Sequence, residues 1–167
     1  SPLLSFQTRL ITPLTKMHIE KIKNKIISPR KIESTFTNGR KNLKKLVFTN
    51  GCFDIIHKGH ISYLSAAADL GSHLVVAINS DKSVKRIKGE NRPVQDEETR
   101  MLVMASFSFV DFVVLFNEDT PQNIISKIIP DVLVKGGDYK IEDIVGHDVV
   151  KHTGGEIKTI DFVRGYS

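Results

Sequence analysis

Two histidines and a glycine close the run Thr49-Asn50-Gly51-Cys52-Phe53-Asp54-Ile55-Ile56-His57-Lys58-Gly59-His60. The apolar run Leu46-Val47-Phe48 precedes it and reads as a buried strand; a helical pattern follows from about residue 61 to residue 70. His57 and His60 therefore stand where a strand hands over to a helix. A helix N-terminus presents unpaired backbone N–H groups and a positive partial charge, which suits a phosphate. Two imidazoles add donors whose charge changes near neutral pH. Gly59, without a side chain, lets a polyphosphate approach the backbone closely. The plain alternative is a helix that merely begins with histidines. The H-x-G-H spacing directly after a G-x-F-D turn favours the functional reading. Two histidines three apart also share a helix face, as metal ligands do, but no cysteine or third histidine lies at ligand spacing, so no metal site is expected.

The elements that must hold this stretch alternate along the chain. Strands are expected over residues 46–49, 73–79, 110–116, 132–135 and 156–161. Helices are expected over 59–70, closed by Gly71, over 96–107 with acidic residues in the first turn, and over 120–129, with Thr120 as N-cap and Pro121 as N1. A further helix is expected over 141–152, and residues 81–88 read as a basic connection ending at Gly89. Strands separated by helices define an α/β fold: a single Rossmann-like domain with a five-stranded parallel sheet and helices on both faces. In such sheets ligands bind beyond the carboxyl ends of the strands, where the strand order reverses. The histidine stretch lies at the carboxyl end of the first strand.

Composition excludes several classes. The chain has 167 residues, 40% hydrophobic and 26% charged, ordinary for one globular domain. Cys52 is the only cysteine, which forbids an intrachain disulfide and fits a reducing, cytoplasmic setting. It reads as a small packing residue rather than a nucleophile. No apolar run reaches 18 residues, so no membrane helix is expected. The net charge of +5 is unevenly placed: residues 1–45 hold 11 Lys/Arg against 2 Asp/Glu, while residues 46–167 hold 13 against 17. The chain accordingly divides into a basic N-terminal extension, 1–45, and a domain, 46–167. The extension carries Ile19, Ile22 and Ile26 at helical spacing and lacks a nucleic-acid-binding fold, so a surface-packed segment is expected and nucleic acid is not.

The run Gly51-x-Phe53-Asp54-x-x-His57-x-Gly59-His60 resembles the signature of the cytidylyltransferase-like nucleotidyltransferase superfamily. Lys85-Arg86-Ile87-Lys88-Gly89, Asn91-Arg92-Pro93-Val94 and Val134-Lys135-Gly136-Gly137-Asp138-Tyr139 resemble its heptose 1-phosphate adenylyltransferase branch. Ser108 stands where the superfamily's cytidylyltransferases carry an arginine, and Gly165-Tyr166-Ser167 meets the start of a C-terminal G-x-S-T-T signature whose helix lies beyond this chain.

The resemblance implies transfer of AMP from ATP to D-glycero-β-D-manno-heptose 1-phosphate for lipopolysaccharide core synthesis. The other readings left open are a sugar- or polyol-phosphate nucleotidyltransferase using CTP or GTP, and a non-catalytic nucleotide-binding module. It implies His57, His60 and Lys88 as catalytic groups. Thr49, Asn50, Gly51, Phe53, Gly59, Asn79, Lys135, Gly136, Asp138 and Ser167 are implied at the nucleotide, and Lys85, Arg92 and Arg100 at the substrate phosphate. The bland readings stay beside these: a solvated loop for Lys85 and Lys88, an ion pair with Asp96 or Glu97 for Arg100, and an Asx turn rather than Mg²⁺ for Asp54. Mg²⁺ is implied with ATP. A functional link to a separate heptose kinase, and a homodimer with residues 19–26 as a contact, complete the expectations.

Overall fold

The computed structural model describes residues 12–161. Five parallel strands, β1 (Leu46–Gly51), β2 (His73–Asn79), β3 (Phe112–Phe116), β4 (Val132–Gly136) and β5 (Glu156–Ile160), form one sheet in the order β3-β2-β1-β4-β5. The chain runs outward from β1 to β3, then returns to the other side of β1 as β4, so the order reverses between β1 and β4. Among the described residues six α-helices accompany the strands: α1 (Thr12–Lys23), α2 (Lys58–Ala68), α3 (Asp81–Lys88), α4 (Glu97–Ala105), α5 (Gln122–Ile128) and α6 (His147–His152).

The central strands β1 and β2 are buried almost throughout because both faces of the sheet are covered. Alternate residues feed two cores. Leu46, Phe48, Val75, Ala77, Val114 and Leu133 face a core closed by Ile124, Ile125 and Ile128 of α5 and Val150 of α6. Val47, Leu74, Val76, Ile78, Val113 and Val134 face the other, closed by Leu64 and Ala67 of α2 and Met104 and Ala105 of α4.

The segment before β1 is built into both cores. Ile32, Phe36 and Leu43 are buried with the α5 side, and Ile22 and Ile26 pack against the α4 side. Residues 25–27 run along the edge strand β3: the Val113 N–H donates to the Lys25 carbonyl at 2.8 Å, and the Ile27 N–H donates to the Val113 carbonyl at 2.9 Å. This covers one sheet edge that would otherwise be open to association. The apolar stripe of residues 19–26, expected as a contact between subunits, is thus largely spent within the chain, with Ile19 left exposed.

Three expectations are corrected. Residues 81–88 form the helix α3 rather than a connection. Ser80 Oγ caps it by accepting from the Ser83 N–H at 3.1 Å, and the buried Ser83 Oγ donates to the Glu118 carbonyl at 2.9 Å. These polar anchors act beside the buried Val84, while Ile87 at the next turn stays exposed. The single helix expected over 141–152 is a 3₁₀ turn, Ile141–Asp143, followed by α6, because Gly146 adopts φ +90° against Ile125, where a Cβ would lie 2.5 Å from Ile125 Cδ1. Helix α5 starts one residue later than expected, with Pro121 rather than Thr120 as its N-cap, and ends where Ile129 turns to φ +51°.

Candidate active site

A cavity of about 720 Å³ opens at the carboxyl edge of β1 and β4, at the reversal of strand order. Asn50 and Gly51 from β1, His57 and His60 from the start of α2, Lys88 from α3, Arg92 from the following loop, and Lys135 and Gly136 from β4 all line it. Phe53, also in the lining, sits at φ +47°, a conformation uncommon for a residue with a side chain. Its ring folds back over Gly51, where an added Cβ would lie 2.9 Å from Phe53 Cε2. The same ring meets His60 edge-on at 5.4 Å. Gly51 therefore makes room for an aromatic that braces the second histidine.

The histidines cap their own helix. His57 Nδ1 accepts from the Gly59 N–H at 3.1 Å, and His60 Nδ1 accepts from the His57 N–H at 3.4 Å. This reciprocal arrangement is a capping box made of imidazoles. It also sets the tautomer: with Nδ1 accepting, the neutral ring carries its proton on Nε2. The rings stack with centroids 3.9 Å apart and an interplanar angle of 25°. Burial lowers the pKa of His60, the nearby His57 and Lys88 lower it further, and a hydrogen bond with the Ile55 backbone opposes them without reversing the shift. The net shift favours the neutral ring of His60.

Asp54 acts as a structural latch. Its Oδ1 accepts from the N–H groups of Val94 and Gln95 at 3.0 and 2.9 Å, and its Oδ2 accepts from the Val94 N–H at 2.9 Å and from Arg92 Nη1 at 3.2 Å. Burial pushes the carboxyl pKa up, but the Gln95 and Val94 N–H groups and Arg92 together outweigh it and hold it below the ordinary value of 3.8. Stability rises with pH wherever the unfolded chain binds the extra proton. The carboxylate's contribution is complete above the unfolded pKa and is lost as pH falls through the lower folded pKa. Asp54→Asn, which turns an amide toward those N–H groups, is expected to cost ~1–3 kcal/mol at pH 7. Urea unfolding at pH 7 and pH 3 checks this: the deficit must shrink at the lower pH, and a deficit equal at both would contradict the latch.

Arg100 corrects the expectation of a phosphate ligand. It is 1% exposed. Its Nε donates to the Gln95 carbonyl at 3.0 Å, its Nη1 to the Cys52 and Asn79 carbonyls at 2.7 and 2.8 Å, and its Nη2 to Asp81 Oδ1 at 2.8 Å. From α4 it ties the turn after β1 to the end of β2 and to the start of α3. Its acidic partner is Asp81 rather than Asp96 or Glu97.

Other expected residues also lie outside the cavity lining. Thr49 is buried below it, bonded to Tyr63 Oη at 2.5 Å and donating to the Val134 carbonyl at 3.1 Å. Burial pushes the Tyr63 phenol up to about 12, with the Thr49 bond opposing, so it stays protonated. Gly59 is buried in the first turn of α2. Asn79 is buried, its amide donating to Ser83 Oγ at 3.0 Å. Lys85 and Asp138 are exposed away from the lining, and Ser167 lies outside the described residues. Cys52 lines the cavity, but burial raises its thiol pKa despite Lys88 and Arg100, which disfavours a nucleophilic thiolate. The lining adds Ile55, Tyr63 and Tyr139, which the motif reading missed. For Tyr139 the signal was present: an aromatic two residues after a glycine pair at a strand end.

Among the described residues no group of three His, Cys, Asp or Glu side chains is placed to hold a metal ion. No described helix is long and apolar enough to cross a membrane.

A parallel sheet reversing at β1 and β4, with paired imidazole donors and lysines at the reversal, defines a nucleotide-handling α/β domain. The chain belongs to the cytidylyltransferase-like family, whose model matches residues 48–160. The bifunctional protein HldE of Pasteurella multocida is 51% identical over 142 residues, covering 85% of this chain and 30% of its own length. HldE of Campylobacter concisus is 57% identical over 128 residues, 77% of this chain and 26% of that one. The chain thus spans less than a third of these curated relatives. The solved lipopolysaccharide core biosynthesis protein of Thermoplasma volcanium superposes with a TM-score of 0.59 at 29% identity, covering 74% of this chain and 99% of that one. Pantoate-beta-alanine ligase of Francisella tularensis shares the fold alone, with a TM-score of 0.58 at 16% identity over 83% of this chain and 67% of its own.

Proposed function

We propose that this chain is an adenylyltransferase that joins AMP from ATP to D-glycero-β-D-manno-heptose 1-phosphate, releasing pyrophosphate. The observation that carries the reading is the stacked His57–His60 pair at the N-terminus of α2, in one cavity lining with Lys88 and Lys135. A sugar-phosphate oxygen attacks the α-phosphorus in line, a new P–O bond forms, and the bond to the β-phosphate oxygen breaks. Negative charge builds on the equatorial and leaving oxygens. Imidazole N–H donors and lysine ammoniums are the groups that stabilise it, and no covalent intermediate on the protein is required.

Mg²⁺ enters with ATP as part of the substrate. The cavity's carboxylate, Asp54, has both oxygens engaged by N–H donors, and the chemistry of the remaining lining suits phosphate rather than a divalent cation. Similarity to bifunctional relatives nearly three times as long supports a link to a separate sugar kinase, and similarity to a lipopolysaccharide core biosynthesis protein supports a place in that synthesis. ATP as co-substrate supports a cytoplasmic setting for the reaction.

Pyrophosphate release with Mg²⁺, heptose 1-phosphate and ATP, CTP or GTP in turn tests the reading. Release with ATP alone is expected. Release only with CTP or GTP would overturn the base while keeping the histidine roles; binding without release would mark a nucleotide-binding module.

A further inference from the structure

Tyr139 is 50% exposed, follows the Gly136-Gly137 pair at the end of β4, and lines the cavity. Its ring lies 5.7 Å from the Lys135 ammonium, a cation–π contact within the same lining. Neither the hydrogen-bonded latches nor the core use this side chain, and half of its surface stays open.

The topology sorts the cavity into two ends. With strands in the order β3-β2-β1-β4-β5, the residues that follow β2, Lys88 and Arg92, come in from one side of the histidine pair. Lys135, Gly136 and Tyr139, on and after β4, come in from the other. The β2 end is cationic and suits the phosphate of the acceptor. The β4 end offers a lysine, a bare backbone and an aromatic face. A nucleoside triphosphate laid across the histidines has one planar, uncharged end, its base, and that end matches the aromatic side.

We infer that Tyr139 is the platform on which the base of the bound nucleotide stacks, with Lys135 beside it donating to the phosphate chain. This rests on the nucleotidyl-transfer reading above. Stacking tolerates any base, so Tyr139 sets nucleotide affinity at this end, while the choice among bases falls to the hydrogen-bonding groups around it.

The test compares ATP with inorganic tripolyphosphate, which carries the charge and lacks the base, by calorimetric titration in the presence of Mg²⁺. Tyr139→Ala is expected to weaken ATP binding about tenfold and leave tripolyphosphate binding unchanged. Tyr139→Phe, which keeps the ring, is expected to stay within about twofold of the unsubstituted protein for both. Tyr139→Leu keeps bulk without a π face and is expected to behave as the alanine variant. ATP binding unaffected in both ring-less variants would overturn the assignment, as would equal losses of ATP and tripolyphosphate. So would an alanine variant in which only the KM for the sugar phosphate rises, for that places the sugar on the ring. If the unsubstituted protein bound neither ligand, the nucleotide reading itself would fall.

Discussion

Replacing His60 with alanine is expected to lower the turnover of nucleotidyl transfer about 10²–10³-fold, the loss typical of deleting one preorganised donor to a developing oxyanion. The KM for ATP should move far less, because the interaction strengthens as charge builds on the phosphoryl oxygens rather than when ATP binds. His60 suits this task through three structural facts: its Nδ1 accepts a backbone proton, its burial favours the neutral ring, and Phe53 braces its edge. His57→Ala should lose as much in rate and in addition ~0.5–2 kcal/mol of stability, since its side chain also caps α2. Because the rings stack, the double variant should lose much less than the product of the two single losses. Initial rates of pyrophosphate release against ATP concentration decide the matter. Either variant turning over within about threefold of the unsubstituted protein would remove the histidines from the transition state.

The largest effect on stability is expected at Arg100. Arg100→Ala should cost ~3–5 kcal/mol, the scale for breaking a buried ion pair by removing one partner. The variant leaves the carbonyls of Cys52, Asn79 and Gln95 without their shared donor, and Asp81 without its cation. Against a total of ~5–15 kcal/mol, that is a large fraction of the fold's margin. Arg100→Lys keeps the charge but replaces a planar fork with a single ammonium, which cannot serve four acceptors in different directions. It should therefore recover only part of the loss. Denaturant titration measures both variants, and an alanine variant within about 1 kcal/mol of the parent would show that the clamp is not what holds these segments. Arg100 also connects stability to function. It joins the turn bearing Cys52 to the start of α3, the helix that carries Lys88 to the cavity, so the lysine variant should place Lys88 less well even where it folds.

How much of this was legible in the chain differs by element. Strands β1 to β4 stood out as apolar runs because a doubly covered parallel sheet leaves little room for polar residues, whereas β5, at the sheet edge, is largely exposed and mostly polar. Helix α3 did not, because its anchors are Ser80 and Ser83 reaching Asn117 and Glu118, partners more than thirty residues away. The break between the 3₁₀ turn and α6 was equally hidden, since it depends on Gly146 meeting Ile125 of another helix. The basic composition of residues 1–45 concealed Ile32, Phe36 and Leu43, whose burial depends on the sheet they reach.

The site divides along the same line. His57, Gly59 and His60 were readable because a helix cap is local: the capping atoms lie within three residues, so spacing alone specifies the geometry. The strand-end residues Gly51 and Gly136 were readable because each follows an apolar run whose end faces the ligand edge. The cations were not. Lys85, Lys88, Arg92 and Arg100 look alike in sequence, yet Lys88 lines the cavity, Lys85 is exposed outside the lining, Arg92 is shared with Asp54, and Arg100 is buried among carbonyls. By itself the sequence determined the strand alternation and the capped histidine turn. Only the tertiary structure decided which charges face the substrate, because the direction of a long side chain is set by acceptors from distant segments rather than by its neighbours in the chain.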